Sequence, residues 1–339
     1  MVPLSTVLAS NKRIPEALPR GLVAIFVGAT SGIGEYTLKC FASRAHSPRV
    51  YLIGRSQSAS ERIMAECKTL NPDGTFHFIQ ADVGLIHNVD HVCQQIQDQE
   101  ATVNILFMTQ GSLEANFSTS EDLQLATSLH YHSRMRFMAN LLPLMEKAPA
   151  LRRVVSVFAG GMEGEVFPEN WQARGLTTTV RRNHVSAMVT LGLERMARQA
   201  PSVSFIHEFP GLVQTPAVDN WPGGLGVVVK LVVFLAGRWL CVPREECAER
   251  HVFLATSALY PPASGSADIS GVPVTDAASP MKGTTGAAGG GVYSLHYSGE
   301  SGSPTSQQAL ADLRASGVDD QLAEHTAAGF RRITGKESM

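Results

Sequence analysis

Tyrosine and lysine are both missing from a long central stretch: no tyrosine lies between Tyr131 and Tyr260, and no lysine between Lys147 and Lys230. A Tyr-x-x-x-Lys pair therefore cannot form there in any register, which excludes a phenol acid activated by a nearby ammonium group. Cysteine is scarce: Cys40, Cys67, Cys93, Cys241 and Cys247 are five, an odd number without paired spacing, which suits a reducing compartment. Cys247 and His251 stand at helical spacing but lack further ligands, so no metal site is expected. Charged residues amount to only 17% of the chain and sum to −2, which gives no electrostatic reason to expect nucleic acid as a partner. The most apolar run, Leu225 to Leu240, is too short to span a bilayer and is interrupted by Lys230 and Arg238. Met1 to Arg20 lacks the apolar core that export requires; it reads as an extension lying over the domain, in a cytoplasmic protein.

What is present begins at residue 22. Leu22 to Val27 is a continuous apolar run, as expected of a buried parallel strand, and it feeds directly into Gly28-Ala29-Thr30-Ser31-Gly32-Ile33-Gly34. Gly28 permits a sharp turn, while Gly32 and Gly34 remove side chains where backbone must approach a pyrophosphate and where helix must sit on sheet. The helix that follows would aim its free N–H groups and positive dipole end at phosphate.

The same alternation continues. Strands are expected at Arg49–Ile53, Phe76–Gln80, Asn104–Met108, Arg153–Gly161 and Val203–Glu208, with helices at Glu35–Ala45, Ser58–Leu70, Asn88–Gln99 and Val185–Gln199, and a longer one from about Ser120 to Lys147. Such a sequence of elements indicates an α/β Rossmann fold: a doubly wound parallel sheet of about seven strands with helices on both faces. The second strand ends in Gly54-Arg55-Ser56, where a carboxylate would hold the free ribose hydroxyl of NAD; Arg55 and Ser56 suit a 2′-phosphate instead and favour NADP(H).

These residues resemble the short-chain dehydrogenase/reductase family over roughly residues 20 to 260. Residues 28–34 look like its cofactor loop, Ala81-Asp82-Val83 resembles the segment that contacts adenine, and Thr109-Gln110-Gly111 stands where the family usually has Asn-Ala-Gly. Pro210-Gly211-Leu212-Val213-Gln214-Thr215 is similar to the turn that holds the nicotinamide amide. The resemblance thus implies a cofactor site formed by Gly28, Thr30, Ser31, Gly32, Ile33, Gly34, Arg55, Asp82, Val83, Gly111, Pro210, Gly211, Val213 and Thr215.

The family's catalytic positions are altered. Counting without gaps places Arg182 at the tyrosine, Ser186 at the lysine, Ala159 at the serine (with Ser156 three residues earlier) and His130 at the asparagine. Guanidinium stays protonated and serine carries no charge, so neither replaces what it displaces. Three readings remain open: hydride transfer with another proton donor among His130, Tyr131, His132 and His184; non-redox isomerisation, dehydration or cyclisation; or non-catalytic nucleotide or partner binding. His130, Tyr131 and His132 follow one another on a helix, so at most two can face one pocket.

Residues 221–242 are expected to form an apolar substrate lid or a buried or membrane-touching helix, which implies a hydrophobic small-molecule substrate and allows weak membrane-surface association. Pro261–Gly291 reads as a long Gly/Ser-rich loop, Gly291–Tyr297 as a last edge strand, and Thr305–Arg314 and Asp319–Ile333 as closing helices, with Glu324 and His325 on an exposed face or near the pocket. By resemblance, a homodimer would pair through the two long helices, with His132, Arg134 and Arg136 joining or preventing that interface. The same resemblance implies a tailoring oxidoreductase of specialised metabolism.

Overall fold

Successive side chains of the central strands alternate between two helical layers, and both sides are buried. The computed structural model describes residues 1–112, 114, 117–213, 241–274 and 279–336. Its strands are β1 Val23–Val27, β2 Arg49–Gly54, β3 Thr75–Gln80, β4 Ile105–Met108, β5 Arg153–Val157, β6 Ser204–Phe209 and β7 Val292–His296. All pair in parallel, in the order β3-β2-β1-β4-β5-β6-β7. β1, β4 and β5 are buried throughout, because helices cover the sheet on both sides.

The main helices among the described residues are α1 Leu4–Lys12, α2 Gly32–Arg44, α3 Gln57–Leu70, α4 Ile86–Gln97, α5 Ser133–Met145, α6 Thr178–Gln199, α7 Arg244–Thr256, α8 Pro304–Ala315 and α9 Val318–Thr334. Val23, Ile25 and Val27 turn to a core shared with α4, α5, α6, α8 and α9. Ala24 and Phe26 turn to the core shared with α1, α2, α3 and α7. The seven-stranded doubly wound Rossmann fold is thereby established.

Element boundaries moved where packing, rather than pattern, sets them. β5 stops at Val157 instead of reaching Gly161: Gly160 is so close to the His207 carbonyl that no side chain fits, and Gly161 takes φ +79° to leave the sheet. α6 begins at Thr178, well before the expected Val185, because its first turn is largely exposed and has no apolar periodicity to reveal it. The long helix runs from Leu125 to Met145 and contains a π-turn over Ser128–His132, which shifts the phase of the residues around it.

The two chain ends are tied down. Asn11 on α1 donates to the Glu249 backbone carbonyl (2.8 Å) and carboxylate (2.7 Å) on α7. At the other end α9 lies on α5 and α6: Tyr131 Oη and Thr326 Oγ1 are 2.8 Å apart, Arg136 sits 5.1 Å over the Phe330 ring, and Arg195 and Arg198 pair with Asp320 and Asp319. Arg314 on α8 grips Glu194 with two hydrogen bonds of 2.9 and 2.7 Å. The C-terminal helices thereby cover part of α5 and α6.

Candidate active site

A cleft of about 360 Å³ opens at the C-terminal ends of β1, β2, β4 and β5, where a doubly wound sheet changes winding direction. The turn Gly28–Gly34 forms one wall. Gly28 has φ +79°, and a Cβ there would come within 2.6 Å of the Gln110 backbone nitrogen. Gly34 lies against Thr109 Oγ1 and Ala29, which lets α2 settle onto the strand ends with its first turn facing the cleft. Thr109 Oγ1 in turn donates to the carbonyls of Val27 (3.1 Å) and Gly28 (3.2 Å), fixing the end of β1 to the end of β4.

Thr30, Ser31, Gly32, Ile33, Arg55, Asp82, Val83, Gly111 and Pro210 all line this cleft together with Gly28 and Gly34. Arg55 is exposed and makes no side-chain hydrogen bond or ion pair among the described residues. A shallower hollow of about 420 Å³ continues past Arg55 and Asp82 over Asn88, His91 and Gln95. Gly211 has φ +72° and packs against Tyr297, while Val213 pairs with Val242. Thr215 and residues 221–240 of the expected lid lie outside the described residues. Cleft-lining Leu129 and Phe158 had no distinguishing sequence signal, since they read as ordinary core positions, whereas Gln110 stood in the Thr109-Gln110-Gly111 segment that the family resemblance points to.

A family model described as "short chain dehydrogenase" matches residues 22–166. Oxidoreductase AN1596 of Emericella nidulans is 40% identical over 96% of this chain and 97% of its own length. The chain belongs to the short-chain dehydrogenase/reductase family. Another relative, Oxidoreductase andH of Emericella variicolor, is 32% identical over 99% of this chain and 98% of its own. Among solved structures, an L-sorbose reductase from Gluconobacter frateurii complexed with NADPH and L-sorbose shares the fold, with a TM-score of 0.55, 17% identity, and coverage of 70% of this chain and 91% of that one.

Within this short-chain dehydrogenase/reductase frame, three of the four positions that counting aligns with the family's catalytic residues, Ser186, Ala159 and His130, lie together around the end of β5. Ser186 on α6 is buried and donates a 2.6 Å hydrogen bond to the Ala159 carbonyl. Arg182 lies one turn earlier, bonded to the Asn183 side chain at 3.2 and 3.1 Å and outside the cleft lining. His130 stacks on Phe158 with ring centroids 4.1 Å apart, and its Nε2 lies 2.5 Å from where a Cβ on Gly111 would stand. Burial, and then the charge of Arg134, push the His130 pKa down to about 3. At neutral pH it is therefore an uncharged, weakly basic imidazole with no extra proton to give.

The other expected donors point elsewhere. Tyr131 is wholly buried with its hydroxyl on Thr326, and burial raises its pKa, so it serves the α9 contact rather than the cleft. His132 faces His325 at 6.3 Å between ring centroids, and His325 stacks on Trp171 at 5.5 Å. His184 Nδ1 accepts from the Phe167 backbone N–H at 3.1 Å, and burial lowers its pKa to about 4. His251 is a core residue: its Nε2 is 3.2 Å from the Glu208 carboxylate, whose charge raises the imidazole pKa well above the usual value against the opposing effect of burial. Among the described residues, no cluster of three or more metal-ligating side chains occurs, and no helix is long and apolar enough to cross a membrane.

Proposed function

We propose that the protein is an NADP(H)-dependent oxidoreductase that interconverts a carbonyl and an alcohol on a hydrophobic metabolite, as a tailoring step in specialised metabolism. The observation that carries this reading is the continuous cleft from the Gly28–Gly34 turn, past Arg55 and Asp82, to Gly111, Phe158 and Pro210. Its volume of about 360 Å³ falls in the range of small-molecule and cofactor sites. Relatives named oxidoreductases along almost their whole length support the reaction class.

The residues fit the dinucleotide. The first turn of α2 would offer N–H groups to a pyrophosphate, Arg55 is free for the 2′-phosphate, and Asp82 and Val83 would border the adenine. Bound there, NADP(H) would supply the hydride. The chain itself contributes orientation and electrostatics: Phe158, Leu129 and Pro210 give the reacting end an apolar lining, and Phe117, Val180 and Leu212 are large apolar residues left exposed after β4, in the first turn of α6 and after β6. These suit a hydrophobic substrate.

The absence of Tyr-x-x-x-Lys favours a second reading, in which the same scaffold carries a non-redox isomerase, dehydratase or cyclase. Calorimetric titration with NADPH, NADP⁺ and NADH separates the two. Micromolar NADPH binding with weaker NADH supports the first; no binding at millimolar nucleotide overturns it.

A further inference from the structure

Arg134 is wholly buried, yet among the described residues no carboxylate pairs with it. A buried charge is retained only where hydrogen bonds or function offset its desolvation. Arg153, also buried without a carboxylate, has a structural account: it caps the C-terminal end of α7, donating to the carbonyls of Leu254 (2.8 Å) and Ser257 (3.0 Å), at the N-terminal edge of the sheet. Arg134 is at the opposite edge. It donates to Gln110 O (2.7 Å), Val157 O (3.0 Å), Ser156 Oγ (2.6 Å) and Leu129 O (3.4 Å). Gln110, Val157 and Leu129 line the cleft, so the guanidinium is one peptide group beneath its floor.

That arrangement orients a donor. In a trans peptide the N–H points opposite to the C=O, so turning the Gln110 carbonyl down onto Arg134 turns the Gly111 N–H up toward the cleft. Among the described residues the Gly111 N–H has no partner, whereas the next strand's Phe158 N–H is used by Glu208 O at 2.7 Å. The ionisable groups around Arg134 do not cancel its charge: His130 beside it is neutral, and His207 on β6 is pushed down by burial, with Glu163 opposing and Arg134 adding to the shift.

We propose that Arg134, acting through the Gln110–Gly111 peptide, makes the inner end of the cleft a site for an oxygen bearing negative charge, namely a substrate carbonyl oxygen becoming an alkoxide. This deepens the reductase reading and rests on it. With NADPH as donor, hydride would add to the carbonyl carbon and leave NADP⁺, the C–O π pair would move to oxygen, and the proton completing the alcohol would come from water, leaving hydroxide. Arg134 is a positioning residue: the Gly111 N–H meets the oxygen, and the guanidinium aligns and polarises that peptide.

The test uses 4-nitrophenol, whose phenolate absorbs visibly, titrated with pH on the full-length protein with and without NADP⁺. In the wild type the bound phenol should ionise at lower pH than the free phenol. In Arg134→Met the ionisation should move back by about one unit or more, a tenfold change in the equilibrium. Ser156→Ala removes a hydrogen bond to Arg134 but not the charge, so its titration should match the wild type. Failure of the wild type to bind the phenol, ionisation at or above the pH of the free phenol, or an unchanged titration in a folded Arg134→Met overturns the proposal. The wild-type comparison stands even if that variant does not fold. Absence of NADPH binding in calorimetry would defeat the reductase reading alone, since the titration without nucleotide still decides whether the anion site exists.

Discussion

Ser186 on α6 and Ala159 at the end of β5 are joined by a 2.6 Å hydrogen bond from the serine hydroxyl to the alanine carbonyl. These are the two positions that counting assigns to the family's lysine and serine, and the contact between them is neutral and buried. Ser186→Ala removes one of the two hydrogen bonds to that carbonyl and leaves the other, from the Met162 N–H at 3.1 Å. The expected effect is a loss of about 0.5–1.5 kcal/mol in denaturant unfolding, with NADPH affinity unchanged within twofold by calorimetry.

Gly32 opens α2 at φ +60°, where a β-branched residue is strained. Gly32→Val should abolish measurable NADPH binding and lower stability by about 1–3 kcal/mol. Retained affinity in isothermal titration would remove the glycine turn from the nucleotide site.

Arg55 stands free at the end of β2 beside the cleft. Arg55→Asp should weaken NADPH at least tenfold, about 1.4 kcal/mol, while changing NADH little. Equal losses for both nucleotides would show that Arg55 does not read the 2′-phosphate.

Buried neutral histidines give the fold an acid limit. Burial depresses His132 to about 3, below its ordinary value of about 6.5, so on acidification the unfolded chain takes up the proton first. Stability is complete above about pH 6.5 and falls as pH drops toward 3. Between pH 7 and 5 this histidine alone would remove up to about 2 kcal/mol, and His132→Phe should flatten the pH dependence of the melting temperature over that window. An identical slope in the variant would place the acid sensitivity elsewhere.

Phe330 on α9 is fully buried beneath Arg136. Because α8 and α9 occupy the faces of α5 and α6, the full chain is expected to sediment as a monomer. Phe330→Ala should lower stability by about 3–5 kcal/mol and expose that face to self-association. A wild-type dimer sensitive to substitutions in α6 would contradict this.

The apolar runs at Leu22–Val27 and Arg153–Val157 and the glycine turn between residues 28 and 34 determined the sheet and its cofactor-side cleft, because strand burial and tight turns are local demands of sequence. The missing Tyr-x-x-x-Lys was equally plain, since no fold can restore absent residues. The sequence also bracketed the catalytic candidates, yet it could not say where they point. A π-turn over Ser128–His132 set His130 against the cleft and Tyr131 against α9. Arg134, which reads from sequence as a polar intrusion on an interface helix, is buried under the cleft floor because α5 packs across the ends of β4 and β5. Those directions depend on contacts between residues far apart in the chain, which is why only the tertiary structure decided them.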